Sequence, residues 1–539
     1  MRGLLALFLV SVAAGFAQDP QRMDEVVKAQ AAGNRFMGAV LVAKDGQILF
    51  DRAYGLANVE WQVPNTPETR FRIGSITKQF TAAAILLLEE RGKLGIDDPV
   101  SKHVADTPAA WGPITLRHLL NHTSGIPAFT AWPDYEILKR SPLELEKGLM
   151  RLREQPLEFA PGEKYSYSNS GYLLLGHVIE KVTGQKYGTF VHEQILGPLG
   201  LKDTDPDSNA AIIPRRASGY VLAKGQLQNA AYVNMEVPHA AGALYSTTHD
   251  LMLWTQALMG GRLLSAASLE KMTTPGKGDY GFGLVVRTVA ERKSIEHGGG
   301  IEGFNTQMNH YPESRVTVVV LANVNGPAAT KLAGQLGDLA HGDRVVLASE
   351  LKEITLPVET LRKYVGVYQL APKITNTIRL VDGRLTAQLS GQAAYPLFAY
   401  AEREFFLKIA EAREEFVTDE SGRVTHFILY QNGRVQQGPR ISDTVADRVE
   451  ITLPQTVLER YVGTYEIRRG FDLMITLEGG QLRSQATGQG AAPLFAETET
   501  KFFLRVVDAQ IEFFRDDTGA VTHLVLHQGP AEVKGQRKP

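Results

Sequence analysis

A serine and a lysine three residues apart, Ser75 and Lys78, open a long apolar run in FRIGSITKQFTAAAILLLEE. Side chains at i and i+3 share one helix face, with Cβ atoms about 5–6 Å apart. A hydroxyl and an amine so placed at a helix N-terminus are a nucleophile and its proton acceptor. The helix dipole is positive there, which favours a developing oxyanion and disfavours a protonated lysine. Serine needs such help, because its hydroxyl is a weak nucleophile at neutral pH. Gly74 leaves room for a substrate against the backbone.

The spacing is not rare. Ser268 with Lys271 and Ser349 with Lys352 repeat it in SAASLEKM and LASELKEI, which read as amphipathic surface helix. What sets the first pair apart is its continuation through Ile76, Phe80 and Ala82 to Leu88 before Glu89 appears. A helix apolar on all sides is a buried helix, and Gly92 is a fitting stop for it.

Two further segments carry chemistry. Tyr167-Ser168-Asn169 lies on a loop just before GYLLLGHVIEKVTG. A tyrosine accepts a proton only if its pKa of about 10 is lowered, as a neighbouring lysine ammonium does. Asn169 offers a donor and an acceptor for a substrate amide. Tyr232-Val233-Asn234 shows the same pattern without the loop–helix context. His297-Gly298-Gly299-Gly300 ends the strand KSIEHG. It reads either as a flexible glycine turn with an incidental histidine or as an open strand edge that lends a backbone N–H to an oxyanion.

These residues need a dry, fixed setting, and the rest of the chain bounds what that is. Its 539 residues suggest two to four domains, and 44% hydrophobic residues supply sizeable cores. A net charge of −2 gives no electrostatic basis for nucleic-acid binding. The absence of cysteine excludes disulfides, a thiol nucleophile and cysteine metal ligands. Residues 1–17 read as a secretory signal, with Arg2, the apolar LLALFLVSVAAGFA and small residues before Gln18. No later run approaches the ~18 apolar residues of a membrane span. A periplasmic or secreted location is expected. His118 and His122 have the i, i+4 spacing of a zinc helix, but HLLNH carries Asn121 where a glutamate would be needed. No G-x-S-x-G elbow occurs. Neither a metal nor a cofactor is expected.

The C-terminal third is a tandem repeat at a constant offset of 97 residues, LRKYVGVYQL at Leu361 returning as LERYVGTYEI at Leu458. Each copy alternates as some eight short strands, which predicts two small up-and-down barrels, at 354–440 and 451–530. Residues 19–341 open with the hairpin AVLVAKDGQILFDRAYG and close with an antiparallel meander and a helix near 328–339. One sheet from both chain ends with helices between is an α+β arrangement.

In order and spacing, the Ser75-x-x-Lys78, Tyr167-Ser168-Asn169 and His297-Gly298-Gly299 segments resemble the class C β-lactamase branch of the penicillin-recognising serine hydrolases, over about residues 30–340. LRHLLNHTSGIP, AAGALYSTTHDLMLW and YGFGLVV look like that family too. The two repeats resemble the lipocalin-like barrels appended to D-aminopeptidase-type members. The resemblance implies a β-lactamase/transpeptidase-like catalytic domain in which Ser75 is acylated and Lys78 and Tyr167 share the proton transfers. It also implies that Asn169, His297 and Gly299 contact a small-molecule or short-peptide substrate, with the N–H groups of Ser75 and Gly300 as oxyanion hole. The usual third motif is Lys-Thr-Gly. His297 in its place removes a permanent positive charge, and a histidine charged in part near pH 7 would make carboxylate binding weaken from pH 6 to 8. Cleavage of small peptides containing D-amino acids is the expected reaction. The alternatives are a carboxylesterase, a weak β-lactamase and a catalytically silent binding protein.

Overall fold

The computed structural model describes residues 19–141, 145–289, 291–431 and 434–538. The signal-like stretch 1–17 lies outside the described residues. The chain divides into two compact units at Leu347/Ala348.

The first unit is built on strands β1 (Gly38–Lys44), β2 (Gln47–Tyr54), β3 (Val285–Val289), β4 (Arg292–Ile301), β5 (Phe304–Tyr311) and β6 (Val316–Ala322). They form one antiparallel sheet in the order β3-β4-β5-β6-β1-β2, so both chain ends share it. Asp45 and Gly46 take φ of 52° and 80° at the β1–β2 turn, the left-handed pair a two-residue hairpin requires. Four helices matter most: α1 (Pro20–Ala31), α2 (Thr77–Glu90), α3 (Asn169–Thr183) and α4 (Ala328–Ala340). Alternate residues serve the two faces. Val40, Val42, Val318 and Val320 pack under α1 and α4, while Ala39, Val319 and Leu321 join the larger core around α2 and α3. Buried on both faces, β6 reads as VTVVVLA, apolar but for Thr317, whose hydroxyl bonds His310 Nδ1 at 3.0 Å.

Every residue of α2 from Thr77 to Leu88 is buried. Phe80 stacks on Trp254 with ring centres 4.0 Å apart, and the Trp254 indole donates to Gln79 Oε1 at 2.9 Å. The chain leaves through Gly92 at φ 65°.

The second unit holds two nine-stranded antiparallel sheets with the same internal order, 4-3-2-1-9-8-7-6-5 counted within each copy. Each is a nearly closed barrel, open between its fourth and fifth strands, which are two residues long and flank buried Leu397 or Leu494. The count is nine where the repeat suggested eight, because pairs such as Phe398–Ala399 are too short to show alternation. The last strand, Ala531–Arg537, runs past the expected end at 530. It is exposed along most of its length and has no apolar period to mark it. Tyr364 and Tyr461 donate to Glu402 O and Glu499 O at 2.9 and 2.8 Å, and Tyr368 and Tyr465 donate to Tyr364 O and Tyr461 O at 2.8 and 2.9 Å. The first barrel buries a polar pair, Asn376 and Glu414, where Leu473 and Ile511 are buried in the second.

Candidate active site

Ser75 lies in a single 3-10 turn, Gly74–Ile76, that runs into α2, not in the helix itself. Gly74 has φ 51°, and a Cβ there would come within 2.9 Å of Gly300 N. A Cβ on Gly299 would fall 1.9 Å from Ile73 O, which also accepts from Thr306 Oγ1 at 3.0 Å. The serine turn and β4 are therefore pressed backbone to backbone, and Gly299 is required there by packing. The β3–β4 pairing ends with Val285 opposite Glu296. From His297 to Ile301, β4 is thus free of β3 on that side while still paired to β5. The glycine run is strand, not turn. Gly74, Ser75 and Gly300 line a cleft of about 420 Å³ together with Phe129, Thr130 and Asn169. That volume suits a small ligand, toward the low end of the roughly 300–1,000 Å³ typical of such clefts.

Lys78 is fully buried, its Nζ 3.1 Å from Ser75 Oγ, 2.8 Å from Asn169 Oδ1 and 2.7 Å from Ala241 O. Burial pushes its ammonium well below the usual lysine value. The amide and carbonyl oxygens can only accept. A neutral amine has two N–H bonds, both taken by those oxygens, which leaves its lone pair for the Ser75 hydroxyl. Asn169 Nδ2 donates to Thr130 Oγ1 at 3.3 Å.

Tyr167 sits beside this pair, its ring centre 5.0 Å from Lys78 Nζ. The expected lowering of its phenol does not occur. Burial raises it above its ordinary value, and a hydrogen bond with Ser75 offsets only part of that, although 36% of the residue remains exposed. The reason is that the lysine expected to supply positive charge is itself driven towards the neutral amine.

His297 is corrected in the same way. Its Nδ1 lies 2.6 Å from Gly298 O, which can only accept, so Nδ1 carries the proton. Nε2 then accepts from the Tyr280 hydroxyl at 2.9 Å. Burial, with Lys78 nearby, lowers its pKa to about 4. The ring is neutral throughout pH 6–8, and the partial charge expected near pH 7 is absent.

Spacing alone did not point to two of the residues around Lys78. His122 is buried with its ring centre 4.2 Å from Tyr167 and 4.6 Å from Tyr280, and its Nδ1 accepts from Ser168 N–H at 3.2 Å. Burial keeps it neutral. Tyr280, in YGFGLVV, orients His297. Gly283 in the same segment takes φ 73°, and a Cβ there would meet Lys78 O at 2.5 Å, so this glycine lets the segment close on α2. The decoy pairs lie elsewhere: Lys271 bonds Glu89 at 2.9 Å, and Ser349 sits in the short turn Ala348–Glu350, which is not the surface helix expected. His118 caps its own helix through Thr115.

A half-buried serine hydrogen-bonded to a buried amine, facing an open strand edge, is the arrangement a serine hydrolase requires. The Beta-lactamase family profile matches residues 23–341, and a domain of unknown function, DUF3471, matches twice, at 350–440 and 447–537. Penicillin-binding protein 4* of Bacillus subtilis (strain 168) is 31% identical over 445 residues, which are 76% of this chain and 95% of that protein. An octameric penicillin-binding protein homologue from Pyrococcus abyssi has the same fold, with a TM-score of 0.55 at 27% identity over 79% of this chain and 99% of that one. A penicillin binding protein from Bacillus halodurans gives a TM-score of 0.51 at 30% identity over 56% and 95%. The chain belongs to the β-lactamase and penicillin-binding-protein family of serine hydrolases.

Proposed function

We propose that the chain is an exported peptidase that cleaves amide bonds in small D-amino-acid-containing peptides through an acyl-enzyme on Ser75. The observation that carries this reading is Lys78 Nζ, 2.8 and 2.7 Å from two oxygens that can only accept and 3.1 Å from Ser75 Oγ. Ser75 Oγ attacks the carbonyl carbon as its proton passes to Lys78 Nζ. The carbonyl electron pair moves onto oxygen, held by the N–H groups of Ser75 and Gly300. Collapse of that oxyanion breaks the C–N bond. The leaving nitrogen takes the Tyr167 phenol proton, and Lys78 returns its proton to Tyr167. Water then attacks the ester by the same route and frees Ser75. Asn169 steers the substrate amide, and His297 and Gly299 shape the strand edge along which it lies.

The neutral His297 and the lack of a basic residue in the cleft lining among the described residues favour an amide without a terminal carboxylate over β-lactams and D,D-carboxypeptidase substrates. The D-configuration rests on the likeness of the His297 strand and the barrels to the aminopeptidase branch. Export rests on the pattern of residues 1–17, and no helix among the described residues is long and apolar enough to cross a membrane. A fluorophosphonate probe is expected to label the protein, and Ser75→Ala to abolish labelling and lower turnover of p-nitrophenyl acetate by at least about 10³-fold. Undiminished turnover in that variant would overturn the reading.

A further inference from the structure

Lys78 Nζ meets the side chains of Ser75 and Asn169, but also a main-chain carbonyl, Ala241 O, at 2.7 Å. That carbonyl stands in a single helical turn, His239–Gly242, whose Ala241 and Gly242 also line the cleft. The turn opens on a strained residue. His239 takes φ 37°, in the left-handed region that a residue with a Cβ seldom adopts. Such strain persists only where the surroundings over-determine it, and it gathers at working sites.

His239 is held on three sides. Gly176 of α3 leaves the room its ring fills, since a Cβ there would fall 2.6 Å from both His239 Nδ1 and Ala240 Cβ. Glu180, one turn further along α3, sets its Oε1 3.6 Å from His239 Nε2. The same oxygen accepts from the Tyr187 N–H at 2.9 Å, and the Tyr187 ring centre lies 5.1 Å from that of His239. The Tyr187 hydroxyl is in turn 2.8 Å from Thr81 Oγ1, which donates to Ala240 O at 2.7 Å. These contacts leave the turn through the His239 ring and return to it at Ala240, beside the carbonyl that faces Lys78. Thr81 follows Lys78 by three residues on α2, so the amine and the brace share one helix face.

We propose that His239, locked between Gly176, Glu180 and Tyr187, is a positioning residue for the reaction: it holds the 239–242 turn in the left-handed form that aims Ala241 O at Lys78 Nζ. Without that acceptor one N–H of the amine is left unbound, and its lone pair is no longer fixed on the Ser75 hydroxyl. The inference rests on the reading of Ser75 as nucleophile and Lys78 as its base.

Two replacements of similar size separate this role from the filling of space. Leucine and asparagine both remove the ring and its pairing with Glu180, but asparagine tolerates the left-handed backbone and leucine does not. Hydrolysis of p-nitrophenyl acetate by the full-length protein is read above the background of Ser75→Ala. His239→Leu is expected to lower kcat about 10-fold or more with KM within about 2-fold of the wild type, and His239→Asn to recover kcat to within about 3-fold of it. Full kcat in His239→Leu, a loss confined to KM, or equal losses of kcat in the two variants overturns the proposal. His239→Ala, which also disfavours the left-handed backbone, takes the place of the leucine variant if that one does not fold. Retained acetate hydrolysis in Ser75→Ala would instead count against the nucleophile assignment.

Discussion

Replacing Asn376 and Glu414 in the first barrel by leucine and isoleucine, the residues of the second barrel at the same positions, is expected to remove a pH-dependent loss of stability. Asn376 Nδ2 donates to Glu414 Oε1 at 2.9 Å, while Glu414 Oε2 and Asn376 Oδ1 have no partner among the described residues. Both orphans are acceptors when the acid is ionised, and a proton on the carboxyl supplies the donor the pair lacks. Burial accordingly raises Glu414 from 4.5 to about 7. The folded barrel keeps the proton up to about pH 7, whereas the unfolded chain releases it near 4.5. The unfolded state binds fewer protons in that window, so stability is highest below it, falls as pH rises through it and levels off above. At about 1.4 kcal/mol per unit, the total loss is about 3 kcal/mol. In a barrel-sized domain each kcal/mol moves Tm by roughly 4–8 °C, so the wild type should drop relative to N376L/E414I by roughly 12–24 °C between pH 4.5 and 8. Calorimetry of the full chain across that range reads this directly, with the second barrel as internal reference. Parallel profiles for the two proteins would refute the reasoning.

Gly299→Ala places a methyl 1.9 Å from Ile73 O and 2.2 Å from Thr306 Oγ1, and is expected to lower the Tm of the catalytic unit by several degrees. Gly300→Ala, which meets only Asn305 Nδ2 at 3.4 Å, is expected to cost distinctly less. Equal thermal shifts would argue against backbone contact between β4 and the serine turn. The His297 ring, with a pKa of about 4, is expected to leave no inflection in kcat/KM between pH 6 and 8. Its folded value lies below the ordinary histidine value, so it adds stability above about pH 6.5 that is lost as pH falls towards 4. An inflection near 6.5 that vanishes in His297→Gln would contradict this.

What the sequence made legible was whatever a local pattern encodes. The apolar continuation after Lys78 marked α2 as buried, the Asp45-Gly46 pair marked a hairpin, and the 97-residue offset marked two copies of one barrel. Pattern did not show which way a shared proton lies. The expectation of a lowered Tyr167 phenol takes Lys78 as an ammonium, because two groups near each other usually perturb each other through charge. Burial acts on both and pushes them in opposite directions, towards phenol and amine, and burial depends on Tyr172, Tyr280 and His122, which come from three separate segments. Gly299, as a glycine on a strand, allows close approach of either a ligand or another backbone. It is clearance for Ile73, more than two hundred residues away in the chain, and no local signal distinguishes the two.

The same desolvation bears on specificity. It drives Lys78, His122 and His297 together towards their neutral forms, so the proton-transfer machinery is pushed towards carrying little charge of its own. A site that is electrically quiet around its nucleophile is sensitive to any single charge at its rim. Glu302 is placed there by the same β4–β5 hairpin that presents Gly300, and Lys139 Nζ pairs with its carboxylate at 2.8 Å. Attack on a carbonyl depends on the dry interior, whereas discrimination between substrates depends on the rim. Substitutions at Glu302 are therefore expected to change which carbonyl compounds bind, and substitutions at Lys78 to change how fast any of them react.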